Sequence, residues 1–376
     1  MPIIFQSSRR PTLGVEMELM LIDPDSHDLT SRGPELIDYC TTHPELELSL
    51  KPELVQATVE INTDICQDVA QVKADLSDRL HKLHKVADAH RVRFASAGTH
   101  PFARWQECRY TEAPRYQALL AKHAWTGRRM QIYGLHVHVG MPSGEVAIQV
   151  INQITQYAPL LLALSGNSPY WEGVDTGLDS CRTKIFENLS AAGLPFRFED
   201  WHGYENLIDI LLATGSIQSL REVWWDIRPH PDFGTIEVRI CDAPRTLRDV
   251  LALTAFVQCL AVHFQRLYEG GEEVRLVHSG IIRENKWRAC RWGLDGELID
   301  PLTLKVLPAR ALVEQLLLEV TPLAQELGCE SYLADVETIL KEGNGATRQR
   351  RMYAEGGSFG AVVEDLIDGL PGIPVT

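Results

Sequence analysis

Four short stretches of this chain alternate between apolar and polar or ionisable residues. A period of two restricts each of them to an extended strand with unlike faces. They are residues 12–22 (TLGVEMELMLI), 58–62 (TVEIN), 131–140 (QIYGLHVHVG) and 234–242 (GTIEVRICD). One face collects Val15, Met17, Leu19 and Leu21, then Tyr133, Leu135, Val137 and Val139, then Ile236, Val238 and Ile240. The opposite face carries Glu16 and Glu18; Thr58, Glu60 and Asn62; His136 and His138; Glu237 and Arg239. Such strands suit an antiparallel sheet that packs on a core from one side only.

Helical spacing fills the intervals. Within 67–90, Val69, Val72, Leu76, Leu80 and Leu83 recur at three and four residues. Ser143 can cap a helix carrying Val146, Val150, Ile154, Tyr157 and Leu161, and Thr246 another through Leu247, Val250, Leu251 and Val257. Further helices are expected near 203–213, 309–328 and 334–342, and the mixture reads as α+β. The Gly-, Ser- and Asp-rich stretch 165–184 and the basic segment 341–351 (KEGNGATRQRR) read as long loops. No repeat or linker divides the chain, so residues 1–376 are expected to form a single domain.

Acids outnumber bases 51 to 36, a formal net charge of −15, which argues against a nucleic-acid binder. One bound nucleotide remains compatible, because a metal can bridge acidic side chains to phosphates. The eight cysteines are scattered without a C-x-x-C pair, the pattern of free thiols in a reducing compartment. The start, MPIIFQSSRRPT, lacks the apolar stretch of a signal peptide, and no apolar run reaches the roughly 18 residues of a membrane span. A cytoplasmic protein with no membrane partner is expected.

For any one strand, a solvated face is the better explanation of its charges. Four together are harder to explain that way, since these positions concentrate Glu and His and hold no Lys. Facing carboxylates repel and raise one another's pKa unless a cation lies among them. Oxygen-rich clusters suit Mg²⁺, and imidazole extends the choice to Mn²⁺. Glu53 can join Glu60 at one site only if a turn or bulge separates them. No glycine-rich phosphate loop, nucleophile elbow or dinucleotide fingerprint is present. If ATP binds, metal ions and arginines must hold it. Cys241 shares the parity of Glu237 and Arg239, yet packing is its expected role. Trp201, Trp224 and Trp225 likewise read as core or pocket wall.

The order GVEMEL, KPELVQATVEINTD, YGLHVHVG, WWDIRPHPDFGTIEVRICD, ENKWRACRWGLDG and GATRQRR resembles the carboxylate–amine ligases of the glutamate–cysteine ligase type 2 family. The resemblance runs along most of the chain and implies a glutamine synthetase-like fold, a curved antiparallel sheet funnel surrounded by helices. It implies one metal position at Glu18, Glu53 and Glu60, and a second at Glu16, His136 and Glu237. It matches Arg239 to an arginine on the ATP phosphates and sets His138 beside the nucleotide. Glu60, Glu237 and Arg239 then form the catalytic set. ATP and Mg²⁺, with Mn²⁺ as a substitute, are the implied cofactors, and amino acids the substrates.

The expected reaction activates a carboxylate, that of glutamate, as an acyl phosphate, and then passes it to an amine, that of cysteine. Arg182 and Arg228 could bind a substrate carboxylate, or serve only as structural ion pairs. The 165–184 and 343–351 segments are the candidate closing loops, and a homodimer is the default assembly. Two rivals stand beside this reading: a guanidino-kinase-like phosphotransferase and a non-catalytic nucleotide-binding relative.

Overall fold

The computed structural model describes residues 3–272 and 275–370; the first two residues of the MPIIFQSSRRPT start lie outside them. Seven strands form the main sheet: β1 (Leu13–Ile22), β2 (Lys51–Pro52), β3 (Thr58–Asn62), β4 (Arg93–Ala95), β5 (Leu135–Gly140), β6 (Ile227–His230) and β7 (Thr235–Val238). Every pairing is antiparallel, in the order β6-β7-β5-β1-β3-β2, with β4 also on β1. All four alternating stretches therefore become strands of one sheet. Two are shorter than the pattern suggests, beginning at Leu135 and ending at Val238.

Val15, Met17, Leu19, Val59, Ile61, Val137, Val139, Ile236 and Val238 share one buried core with the helices behind the sheet. Helix α1 (Val69–Ala89) buries Val72, Leu76, Leu80 and Leu83 there, and Asp68 caps it by accepting from Gln71 N–H. Helices α2 (Gly144–Ser165) and α4 (Leu247–Glu269) pack on each other deeper in the core. Their caps are those expected, Ser143 accepting from Val146 N–H and Thr246 from Asp249 N–H. α4 is long and apolar enough to cross a membrane, but 78% of its apolar window is buried inside the fold, as befits a core helix. The expected helices near 203–213, 309–328 and 334–342 occupy Trp201–Ala213, Ala309–Glu326 and Glu330–Glu342. All eight cysteines are free thiols.

The two segments read as loops need correction. Within 165–184 lie a short hairpin, Tyr170–Trp171 with Val174–Asp175, and the start of helix α3 (Cys181–Phe186), capped by Ser180. Segment 341–351 holds the end of one helix and the first half of another, α6 (Gly345–Gly356). Its Gly-Asn-Gly run marks a boundary rather than a loop. Gly343 takes φ +89° after the first helix, and Asn344 caps the second by accepting from Thr347 N–H. Helix α5 (Ser279–Trp292) completes the elements used below.

Candidate active site

The strand register assembles the polar face. Glu16 stands opposite His136 on β5 and Asn62 on β3, and Glu18 opposite Glu60. Glu237 stands opposite His138 on β5 and Arg228 on β6. Glu53 follows β2, which folds back antiparallel on β3 through residues 53–57, the turn its membership required. Three overlapping triads of donor atoms result, each within 4.8 Å: Glu18/Glu53/Glu60, Glu16/Glu60/His136 and Glu16/His138/Glu237. The first is the set expected from the resemblance. In the last, His138 closes with Glu16 and Glu237 where His136 was expected, and His136 closes with Glu16 and Glu60.

The cluster is short of partners. His136 Nε2, His138 Nε2 and Asn62 Oδ1 are buried with none among the described residues. His138 Nδ1 lies 2.9 Å from Thr235 Oγ1, so that nitrogen can carry the ring proton while Nε2 turns a lone pair toward Glu16 and Glu237, 3.6 and 3.9 Å away. Burial and the charge of Glu16 push Glu60 well above the carboxylate range, and burial with Glu18 raises Glu53 to about 7. Burial is the largest single influence on Glu16 and Glu237 and raises both, but their basic neighbours together outweigh it. The neighbouring imidazoles of His136 and His138 bring Glu16 down, and Arg228 and Arg239 bring Glu237 down. Unpaired imidazole nitrogens among mutually repelling carboxylates form a donor set that fits hard or borderline divalent cations.

Three arginines border the cluster. Arg239 donates to Glu237 and lies 3.3 Å from His136 Nδ1. Arg228 grips the other Glu237 oxygen at 2.7 Å and the Val223 carbonyl at 2.7 Å. Arg182, 4% exposed, donates to the carbonyls of Arg239 (3.2 Å) and Ile240 (3.3 Å) and pairs with Asp242 at 3.8 Å. Its guanidinium fills the space a side chain would need at Gly134. A Cβ there would lie 2.2 Å from Arg182 Nη2 and 3.2 Å from His136 Nε2. Arg182 and Arg228 are thus already engaged with the site's own groups. Cys241 packs in the core as expected, because the alternation ends with β7 and Ile240 and Cys241 both turn inward. Trp225 is buried against Tyr204 and Ile208, with Trp201 packed against that cluster.

Sequence reasoning missed Asp226, Lys286 and Asp242, all 3% exposed or less. Lys286 stood in the quoted ENKWRAC motif, the one signal that could have marked it. Thr235 was also passed over, although it shares the parity of Glu237.

A family model described as glutamate-cysteine ligase family 2 matches residues 12–365. The chain belongs to the glutamate–cysteine ligase family 2. A member from Gloeobacter violaceus, named as a candidate glutamate–cysteine ligase 2, is 71% identical over 98% of this chain and 100% of its own. A second, from an Arthrobacter species, is 43% identical over 98% of each. The fold is also that of more distant solved structures. The glutamate–cysteine ligase of Francisella tularensis, crystallised with AMP, superposes with a TM-score of 0.69 at 13% identity, covering 97% of this chain and 89% of its own. The bifunctional glutathione synthetase of Pasteurella multocida gives 0.68 at 14% identity, over 96% and 53%. Family 2 membership makes the chain an enzyme of the carboxylate–amine ligase kind.

Proposed function

We propose that this family 2 ligase uses ATP and Mg²⁺ to join the γ-carboxylate of glutamate to the amine of cysteine through an acyl phosphate. The observation that carries the reading is the chain of three shared-ligand triads ending at Arg239. Glu18, Glu53 and Glu60 would hold one metal ion. Glu16 and Glu237, with His136 or His138, would hold the second. When bound, such ions neutralise phosphate charge and bring the γ-phosphoryl group into line with its acceptor.

The protein's own groups then act on the substrates. Arg239 stabilises the charge that develops as the glutamate carboxylate attacks the γ-phosphorus and ADP leaves. Glu237 and Arg228 hold Arg239's end of the sheet face, and His138 lies beside the phosphates. The amine nitrogen next attacks the acyl carbon, phosphate departs, and the amine gives up a proton to a nearby carboxylate. Arg182 and Arg228 remain candidates to hold a substrate carboxylate, against the rival role of bracing the site that their present contacts favour. The curved funnel form of the sheet, action of residues 1–376 as one domain, a homodimer and a cytoplasmic location belong to the same proposal.

Mg-ATP with glutamate and cysteine, separately and together, tests it. ADP and phosphate release that needs both amino acids, with a mass-confirmed γ-glutamyl amide, is expected. ATP turnover with either alone, or a phosphorylated product without phosphate release, would defeat the reading.

A further inference from the structure

We propose that Lys286 is a positioning residue that holds Arg239 in place by tying together the two elements that grip its backbone. The proposal rests on Arg239 acting at the phosphates. Arg239 lies one residue beyond the last ladder pair, Ile227 with Val238, and only its N–H still belongs to the β6–β7 ladder, as that ladder's last rung. Two backbone contacts hold it. Its N–H donates to the carbonyl of Asp226 at 2.7 Å, and its carbonyl accepts from Arg182 Nη2 at 3.2 Å.

Lys286 reaches both. Its Nζ lies 2.5 Å from Asp226 Oδ2 and 2.6 Å from Glu187 Oε1. Asp226 is the residue whose carbonyl holds the Arg239 N–H. Its own N–H donates to Gly193 at 2.7 Å, beside the parallel pairing of Ala192–Gly193 with Trp224–Trp225. Glu187 is the C-cap of α3, the helix that carries Arg182. One ammonium, 1% exposed on α5, therefore joins the strand end behind the Arg239 N–H to the helix behind its carbonyl.

Net stability is a poor explanation of this triad, since apolar residues often replace a buried ion pair at no loss. Geometry is the better one. A guanidinium that must meet a transferring phosphoryl group loses rate steeply with displacement, about 100-fold for roughly 1 Å. The ladder that carries it ends at its N–H, so the hold on its carbonyl, and on the Asp226 end of that last rung, has to come from outside the sheet. Lys286 supplies it from the helix layer without touching substrate.

The test compares Glu187→Gln with the neutral triple variant Lys286→Met/Asp226→Asn/Glu187→Gln, each made alone and combined with Arg239→Lys. Glu187→Gln is the mild change: its carboxylate is 28% exposed, and the Lys286–Asp226 pair survives it. Circular dichroism and melting confirm folding. For Glu187→Gln, kcat is expected to fall about 5-fold, and for the triple variant about 30-fold, with KM for both amino acids within about twofold of wild type. In the Arg239→Lys background the same changes should cost less than about twofold, because the group they position is already misplaced. Equal losses in both backgrounds, or a folded Glu187→Gln with wild-type kcat and Mg-ATP affinity, would overturn the inference. A wild type that forms no amide defeats the ligase reading instead. The clamp is then decided by calorimetric Mg-ATP affinity, which should weaken in both variants only when Arg239 is present.

Discussion

Two buried polar regions lie on either side of the end of β7, and they are built on opposite plans. Around Asp242, one carboxylate is closed off by donors: Asn167 N–H at 2.9 Å, Ser168 Oγ at 2.6 Å, Ser180 Oγ at 2.8 Å and Arg182 at 3.8 Å. Both oxygens are engaged. The neighbouring face sets Glu16, Glu18, Glu53, Glu60 and Glu237 against two imidazoles whose Nε2 atoms have no hydrogen-bond partner among the described residues. Glu60 has a lysine no nearer than 3.9 Å, and its carboxyl is driven upward by burial and by its acidic neighbours. A closed cluster holds segments of chain together. An open one holds donors ready for something that has yet to arrive, and buried polar groups without partners cost too much to be kept for stability.

Neutralising the open cluster should therefore remove function rather than structure. Glu60→Gln and Glu237→Gln are each expected to lower ligase turnover by about 10³-fold or more, in line with losing electrostatic support for a charged transition state. Glu60→Gln should also melt no lower than wild type without metal, because Gln keeps the neutral form that burial and the acidic neighbours already favour there. Glu237→Gln should melt lower, because Arg228 and Arg239 lose their partner. Phosphate-release assays and calorimetry read both, and a Glu60→Gln protein that unfolds while metal-free would break the contrast.

The closed cluster should answer the other way. Asp242→Ala leaves Arg182 without its buried partner and is expected to cost about 3–5 kcal/mol in urea unfolding, as when one member of a buried pair is removed. A cost below about 1 kcal/mol would mean that the node is not structural.

pH and metal sharpen the comparison further. Raised carboxyl groups favour the protonated form in the folded protein, so their stabilising contribution is complete below the unfolded value of 4.5. For Glu53 it is lost as pH climbs through about 7. Metal-free protein should thus lose melting temperature from this group between those limits, and saturating Mg²⁺ or Mn²⁺ should flatten the slope. Metal at about 100 times its Kd should add about 2.7 kcal/mol. A slope that metal leaves unchanged would count against cation binding here.

The smallest effect marks the boundary. Cys241→Ala, at a position sharing the parity of Glu237 and Arg239, is expected to cost about 1 kcal/mol and leave kcat and KM within twofold. A large kinetic loss would mean that Cys241 belongs to the open cluster after all.

Much of the open cluster was legible beforehand. Alternation put Glu16 with Glu18, His136 with His138 and Glu237 with Arg239 on the polar side of their strands, because side-chain direction in a strand follows from parity. The resemblance supplied Glu53, whose reach to Glu60 depends on a turn that parity cannot see. The closed cluster was invisible. Asn167, Ser168 and Ser180 lie within the 165–184 stretch, but Asp242 is some sixty residues further on, and no spacing rule brings it to them. The misread 341–351 segment shows the same limit. Gly343 and Asn344 carry the marks of a loop and of a helix boundary alike, and buried Ala346 and Gln349 decide between them.

By itself, the sequence determined which faces the strands present, where the main helices begin and which chemistry the polar face can support. These follow from local periodicity, capping and residue type, which act within a few residues. Only the tertiary structure decided that His138 closes with Glu16 and Glu237, that Arg182 braces the carbonyl of Arg239, and that Lys286 stands behind both of Arg239's backbone contacts. Those depend on strand register and on helices distant in sequence packing to within hydrogen-bond range, and long-range packing leaves no periodic trace in the chain.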